Sequence, residues 1–131
     1  MTDEFLKILA IARDNIKNNP SHQGSTSKQV AVQYLNGLVA EVKEVTVEIK
    51  EHNAVYLEDE LSDIAWDFAC VLAQLEEGGY IRSTESVFKH GLEKYSERAP
   101  AFLESTEDHW EKIKKIQKEV LKKRHEELYG N

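Results

Sequence analysis

The sequence predicts an all-α fold, an antiparallel helical bundle of four to five helices that forms one domain over residues 1–131. Apolar residues recur at spacings of three and four along most of the chain, and we find no alternating pattern that would indicate a strand. The only prolines, Pro20 and Pro100, fall where breaks between helices are predicted. Short polar segments separate the helical stretches, which favours antiparallel neighbours.

The first helix is predicted over residues 2–18, and a polar loop follows over residues 19–26. Ser25, Thr26 or Ser27 is expected to cap a second helix that runs to Glu51. The predicted core positions of these two helices are Phe5, Leu9, Ala12, Ile16, Leu35, Leu38, Val42, Val45 and Ile49.

A third helix is predicted over residues 54–77, because a turn near His52-Asn53 precedes it and Gly78-Gly79 ends it. Its predicted core positions are Leu57, Leu61, Ile64, Phe68, Val71 and Leu75. A fourth helix is expected from Ser83-Thr84 to Arg98. The segment 105–131 is expected to form a highly charged C-terminal helix, with Ser105-Thr106 at its start.

The charge of the chain is uneven. The net charge is −7, but residues 105–131 carry seven Lys and Arg against six Asp and Glu, so the acidic excess lies in residues 1–104. An acidic body argues against binding a nucleic acid polymer. The lone Cys70 fits a reducing, cytoplasmic compartment, and neither a signal peptide nor a membrane-spanning segment is expected.

Two acidic trios with the same spacing are the strongest functional signal. Their members are Glu41, Glu44 and Glu48 in the second helix and Glu60, Asp63 and Asp67 in the third. At roughly 100° per residue, each trio falls within about 60° of one helix face. An antiparallel hairpin centred on residue 52 pairs Glu44 with Glu60, Glu41 with Asp63, and Gly37 with Asp67.

Carboxylates at close range repel unless a cation lies between them, so this pairing predicts a divalent metal. Oxygen ligands alone suit Mg²⁺ or Mn²⁺, and the five histidines form no pair with zinc-ligand spacing. Acidic residues at helical spacing are most often a solvated face, but Asp67 lies in an apolar stretch where an unpaired carboxylate is costly. Glu48, whose reflected partner is Tyr56, is expected to face solvent.

The spacing Glu41-x-x-Glu44 followed by Glu60-x-x-Asp63 resembles the signature of the MazG-like family of all-α nucleoside triphosphate pyrophosphohydrolases. Gln29 and Tyr34-Leu35 upstream are similar to the family pattern, and Lys94-Tyr95-Ser96-Glu97-Arg98 resembles its basic segment. The resemblance covers roughly residues 18–120. It implies Mg²⁺-dependent cleavage of nucleoside triphosphates to the monophosphate and pyrophosphate, by a homodimer or homotetramer.

The resemblance also implies roles for individual residues. Glu41, Glu44, Glu60 and Asp63 are the expected catalytic metal ligands, and Asp67 is a further ligand or orients a water. The expected substrate-binding residues are Lys94, Arg98 and Gln29, with the two cations on the phosphates. Independently of the resemblance, Trp66 is expected in the core or at a subunit interface rather than as a surface that stacks on the base.

Two departures from the family pattern keep alternatives open. Many relatives have a second Glu before the first motif acid, where this chain has Ala40, and many have a Trp after the Asn-Pro of the loop, where this chain has Ser21. A narrower substrate, as in a phosphoribosyl-ATP pyrophosphohydrolase, is one alternative. A non-catalytic helical nucleotide sensor or partner protein is the other.

Overall fold

The computed structural model describes the backbone of residues 2–103 and 107–130, and the side chains of residues 3–100 and 109–130. The described elements are α1 (Thr2–Asn18), a 3₁₀ turn (Pro20–His22), α2 (Ser27–Glu48), α3 (Ala54–Glu77), α4 (Thr84–Leu103) and α5 (Glu107–Tyr129). They include no strand, which confirms the all-α prediction. The contacts divide the chain into two compact units, residues 1–84 and 85–131, and each is described by itself.

The beginning of α2 follows from its capping residues. The Thr26 hydroxyl accepts a hydrogen bond from the Gln29 N–H, and the Gln29 side-chain oxygen accepts one from the Thr26 N–H. This reciprocal pair satisfies two N–H groups that a helix start otherwise leaves without partners. Thr26 is therefore the cap among the three candidates.

The turn between α2 and α3 forms at the predicted place, although α2 ends at Glu48, three residues early. His52 adopts a positive φ of 54°, and the Asn53 side chain donates to the Glu48 backbone carbonyl and carboxylate. Glu48 therefore secures the turn, and its expected solvent-facing position is corrected to a half-buried one.

The core of the first unit lies where α1 packs on the C-terminal half of α3. Its main members are Ala12, Ile16, Val30, Ala69, Cys70 and Ala73. Leu9, Ala12 and Ile16 are buried as predicted, whereas Phe5 is 37 % exposed. Small residues on α3 let α1 approach closely, so the core forms at this end of the α2–α3 hairpin.

Several apolar residues predicted to be in the core are instead exposed. They are Leu35, Val42, Ile49, Leu61 and Phe68, with exposed fractions between 38 % and 67 %. The periodicity correctly identified an apolar face, but α1 covers only one end of α3. The core prediction was wrong for these five positions.

The second unit contains α5 and all of α4 after Thr84. The prediction that α4 ends near Arg98 with Pro100 in a break was wrong, because α4 continues through Pro100 to Leu103. The predicted cap Ser105-Thr106 lies outside the described residues. No described helix combines the length and apolar character needed to cross a bilayer.

Candidate active site

Carboxylates from both arms of the α2–α3 hairpin come together near its turn. One oxygen from each of Glu41, Glu60 and Asp63 lies within 4.8 Å of the other two. Glu41 and Glu60 are half-buried, whereas Asp63 is exposed. This spacing suits three ligands of a single cation. The predicted antiparallel hairpin had placed Glu41 opposite Asp63, as the structure does.

Two carboxylate oxygens in this group, Glu41 Oε2 and Glu60 Oε2, are shielded from water and lack a hydrogen-bond partner among the described residues. Buried acceptors are normally satisfied, and leaving one without a partner costs free energy. A bound cation supplies what both oxygens lack, so the donor set fits a hard divalent metal such as Mg²⁺.

The same crowding changes the acidity of these groups. Burial, followed by the adjacent carboxyl of Glu44, raises the pKa of Glu41 to about 7. The pKa of Glu60 is raised chiefly by Glu44 and then by burial. Contacts between two carboxyls become hydrogen bonds only when one of them is protonated, so without a cation the cluster tends to retain protons.

Glu44 belongs to the cluster electrostatically, although it is exposed and stands outside the group of three oxygens described above. It is the principal neighbour acting on Glu60 and also acts on Glu41. The predicted pairing of Glu44 with Glu60 therefore agrees with the structure.

Asp67 lies one helical turn beyond Asp63, next to Gly37. A Cβ atom at Gly37 would lie 3.2 Å from Asp67 Oδ2, so the missing side chain provides space for this carboxylate. Burial, followed by Asp63, raises the pKa of Asp67. The structure brings Asp67 to the edge of the cluster, and its role as a ligand stays a prediction.

The three predicted substrate-binding residues come from two different units of the chain. Gln29 is at the start of α2, with its side-chain oxygen used in the helix cap. Lys94 and Arg98 belong to the second unit, where Arg98 is 8 % exposed and its Nε donates to the Gln117 side-chain oxygen at 2.5 Å. Their phosphate-binding role stays a prediction.

A polar network that the sequence analysis did not anticipate lies beyond Asp67. The Tyr34 hydroxyl accepts a hydrogen bond from Asn15 Nδ2 at 2.8 Å and lies 3.0 Å from His22 Nε2. Asn15 Nδ2 also contacts the Cys70 sulfur at 3.7 Å. This network joins the 3₁₀ turn to α1, α2 and α3. The only sequence signal was the polar Asn15 beside the apolar stripe of α1.

Comparison with known protein families identifies the arrangement. The model of the family described as "MazG nucleotide pyrophosphohydrolase domain" matches residues 29–103, which include all five candidate carboxylates. No curated protein and no solved structure matches the chain significantly. The match extends over more than half of the sequence and confirms the family that the acidic motif predicted. The chain belongs to the MazG nucleotide pyrophosphohydrolase domain family.

Proposed function

We propose that this protein hydrolyses nucleoside triphosphates, ribo or deoxy, to the monophosphate and pyrophosphate with Mg²⁺, and that Mn²⁺ can replace Mg²⁺. The observation that carries the proposal is the convergence of Glu41, Glu60 and Asp63 within 4.8 Å, in a chain of this family. A role in removing non-canonical nucleotides from the cytoplasm is part of the proposal.

The carboxylates of the cluster have two proposed roles, metal binding and proton transfer. Glu41, Glu44, Glu60 and Asp63 would hold the cation, with Asp67 as a further ligand or a group that orients water. When bound, Mg²⁺ polarises phosphoryl oxygens and lowers the pKa of a water ligand. A carboxylate of the cluster accepts the proton of the attacking water, and shielding of Glu41 Oε2 and Glu60 Oε2 excludes competing hydrogen bonds.

We also propose that the protein acts as a homodimer or a pair of dimers. The support is an apolar stripe on one face of α2, made of Val32, Leu35, Val39 and Val42, with exposed fractions of 42 % to 59 %. A contiguous apolar surface of this kind is unusual for a soluble monomer and marks a protein interface. A second copy of the chain presents the same stripe and can cover it by two-fold symmetry.

The test is pyrophosphate release from the eight common ribo- and deoxyribonucleoside triphosphates, with Mg²⁺, Mn²⁺ or EDTA. The expected result is release that requires the cation, with a rate pattern that reports on selectivity. A folded, metal-binding protein that releases no pyrophosphate from any of the eight would contradict hydrolysis of common triphosphates. Phosphoribosyl-ATP is the next substrate to test.

A further inference from the structure

A surface groove lies between the end of α1 and α3, within the first unit. Its volume is about 310 Å³, and it is lined by Ile11, Asp14, Asn15, Asn18, Asn19 and Trp66. Trp66 packs on the core while its indole also forms a wall of the groove. We call this feature the Trp66 groove. It places part of an aromatic side chain beside a polar rim.

The Trp66 groove adjoins the carboxylate cluster. Helix α1 runs antiparallel to α3, since Arg13 pairs with Glu76 and Asn15 contacts Cys70, so the end of α1 reaches Trp66. Asp63 precedes Trp66 by three residues, and residues at this spacing are surface neighbours on a helix, about 5–6 Å apart. A nucleotide is longer than that, so one molecule can contact both.

The rim of the groove includes one charged hydrogen-bond acceptor, the exposed carboxylate of Asp14. Asn15 Nδ2 already donates to Tyr34 and Cys70, and Asn19 Nδ2 donates to Asn15 Oδ1 at 2.9 Å. Asn18 Nδ2 donates to Asp14 Oδ1 at 2.7 Å, which leaves the second carboxylate oxygen of Asp14 as an acceptor. At ring position 4, cytosine presents an amino donor where uracil and thymine present a carbonyl acceptor.

We propose that the Trp66 groove binds the base of the substrate and selects bases that carry an exocyclic amine, with cytosine preferred over uracil. Trp66 stacks on the base, and Asp14 accepts a hydrogen bond from its amino group. The inference deepens the proposed function and rests on it, because it places the phosphates of the same nucleotide at the carboxylate cluster. Trp66 would also supply an aromatic ring for the base in a chain that has Ser21 where many relatives have a Trp.

Binding can be measured without catalysis, by following the tryptophan indole N–H signals in nitrogen-15 NMR while CMP or UMP, which have no phosphoanhydride bond to cleave, is added with Mg²⁺. Trp110→Phe assigns the two signals, since Trp66 and Trp110 are the only tryptophans. We expect a saturable shift of the Trp66 signal with CMP and binding about tenfold weaker with UMP, in line with the discrimination that one base-edge hydrogen bond provides.

Asp14→Asn tests the selectivity, because an amide can donate to the uracil carbonyl as well as accept from cytosine. The CMP-to-UMP affinity ratio is expected to fall to near one in this variant. Asp3→Asn, an exposed acid on the same helix, is the matched control and should keep the ratio. Trp66→Leu should weaken both nucleotides by about tenfold through loss of stacking, whereas Trp66→Phe retains most of the binding.

The outcomes separate this inference from the proposed function. If the protein releases pyrophosphate from CTP but the Trp66 signal does not shift when CMP is added, the proposed base site is wrong and the proposed hydrolase activity still holds. A selective Trp66 response with no hydrolysis of CTP would support the base site and contradict the hydrolase. A cytosine preference that survives Asp14→Asn unchanged would overturn the assigned role of Asp14.

Discussion

The two ends of α3 are built for different purposes. Residues 69–74 at one end are all at most 5 % exposed, and Ala69, Cys70 and Ala73 among them form the core cluster with α1. At the turn end, Val55, Tyr56 and Leu61 are 46 % to 76 % exposed beside carboxylates that have raised pKa values. The difference shows that core packing and the candidate active site occupy separate turns of one helix. A substitution at the packed end should therefore change mainly stability, and one at the turn end mainly catalytic activity.

The largest expected effect is on turnover, at the turn end. Glu60→Gln keeps the size of the side chain but removes a charged ligand, so kcat/KM should fall at least about 100-fold, because a metal contributes several kcal/mol to such a reaction. Steady-state pyrophosphate release measures this. The fold should remain or become more stable, since the pKa of Glu60 is raised by its crowded surroundings.

Glu58→Gln is the matched control for this substitution. Glu58 is exposed on α3, two residues away and outside the group of converging oxygens. Its variant should retain full activity. Equal activity of the two variants would remove Glu60 from the site.

At the packed end, Leu9→Ala should lower the free energy of unfolding by about 2–5 kcal/mol, because Leu9 is 2 % exposed and its truncation leaves a cavity. Leu6→Ala, on the same helix but 53 % exposed, should cost less than about 1 kcal/mol. Urea denaturation compares the two variants. Similar losses at both positions would show that Leu9 does not contribute to the core as a buried residue.

The apolar stripe of α2 gives a prediction on assembly. Val39→Asp places a charge in the stripe and should convert the proposed dimer to monomers in analytical ultracentrifugation, since burying an unpaired charge is costly. Val47→Asp is the control, because Val47 is 65 % exposed on a different face of α2. A monomeric wild-type chain, or a Val39→Asp variant with unchanged mass, would refute the proposed interface.

The raised pKa of Glu41 predicts a dependence of stability on pH when no divalent cation is present. The folded chain holds this proton up to about pH 7, whereas an unfolded glutamate releases it near its ordinary value of 4.5. Stability in EDTA should therefore fall as the pH rises through this window. Thermal melts from pH 4.5 to 8 measure the slope.

Glu41→Gln, which has no proton to release, should flatten this slope, and Mg²⁺ should oppose the fall in the wild type by binding the ionised cluster. The same slope in wild type and Glu41→Gln would show that Glu41 is not the titrating group.

The smallest effect is expected at Gly37. Gly37→Ala gains up to about 1 kcal/mol of helix propensity but sets a Cβ atom 3.2 Å from Asp67 Oδ2, so activity should fall severalfold with little change in stability. Gly91→Ala in α4 is the matched control, since its Cβ would have nothing within 4 Å. It should stabilise the fold and keep the activity. Full activity in Gly37→Ala would mean that the position of Asp67 is unimportant.

Much of the fold and of the carboxylate cluster could be predicted from the sequence. The α3 bounds, residues 54–77, were predicted correctly because Gly78-Gly79 ends the helix and the polar turn at 52–53 precedes it. The sequence also predicted that Glu41, Glu60 and Asp63 lie close together. Once the position of the turn is known, it fixes which residues of two antiparallel helices lie opposite each other. The close approach of Gly37 and Asp67 followed from the same register.

The remaining features depend on tertiary contacts that periodicity does not encode. An apolar stripe reveals which face is apolar but not how far a neighbouring helix covers it, so Val42 and Leu61 were assigned to the core. Pro100 was predicted in a break, although a proline can lie inside a helix when the lost hydrogen bond is tolerated. The Trp66 groove depends on where α1 ends against α3.

The most direct test of the central claim is phosphorus-31 NMR of CTP and dCTP incubated with the protein and Mg²⁺. We predict pyrophosphate and the monophosphate in equal amounts, formed by the wild type and Glu58→Gln but absent with EDTA or Glu60→Gln. A diphosphate with inorganic phosphate, or products that form equally well in EDTA, would contradict a metal-dependent pyrophosphohydrolase centred on the hairpin carboxylates.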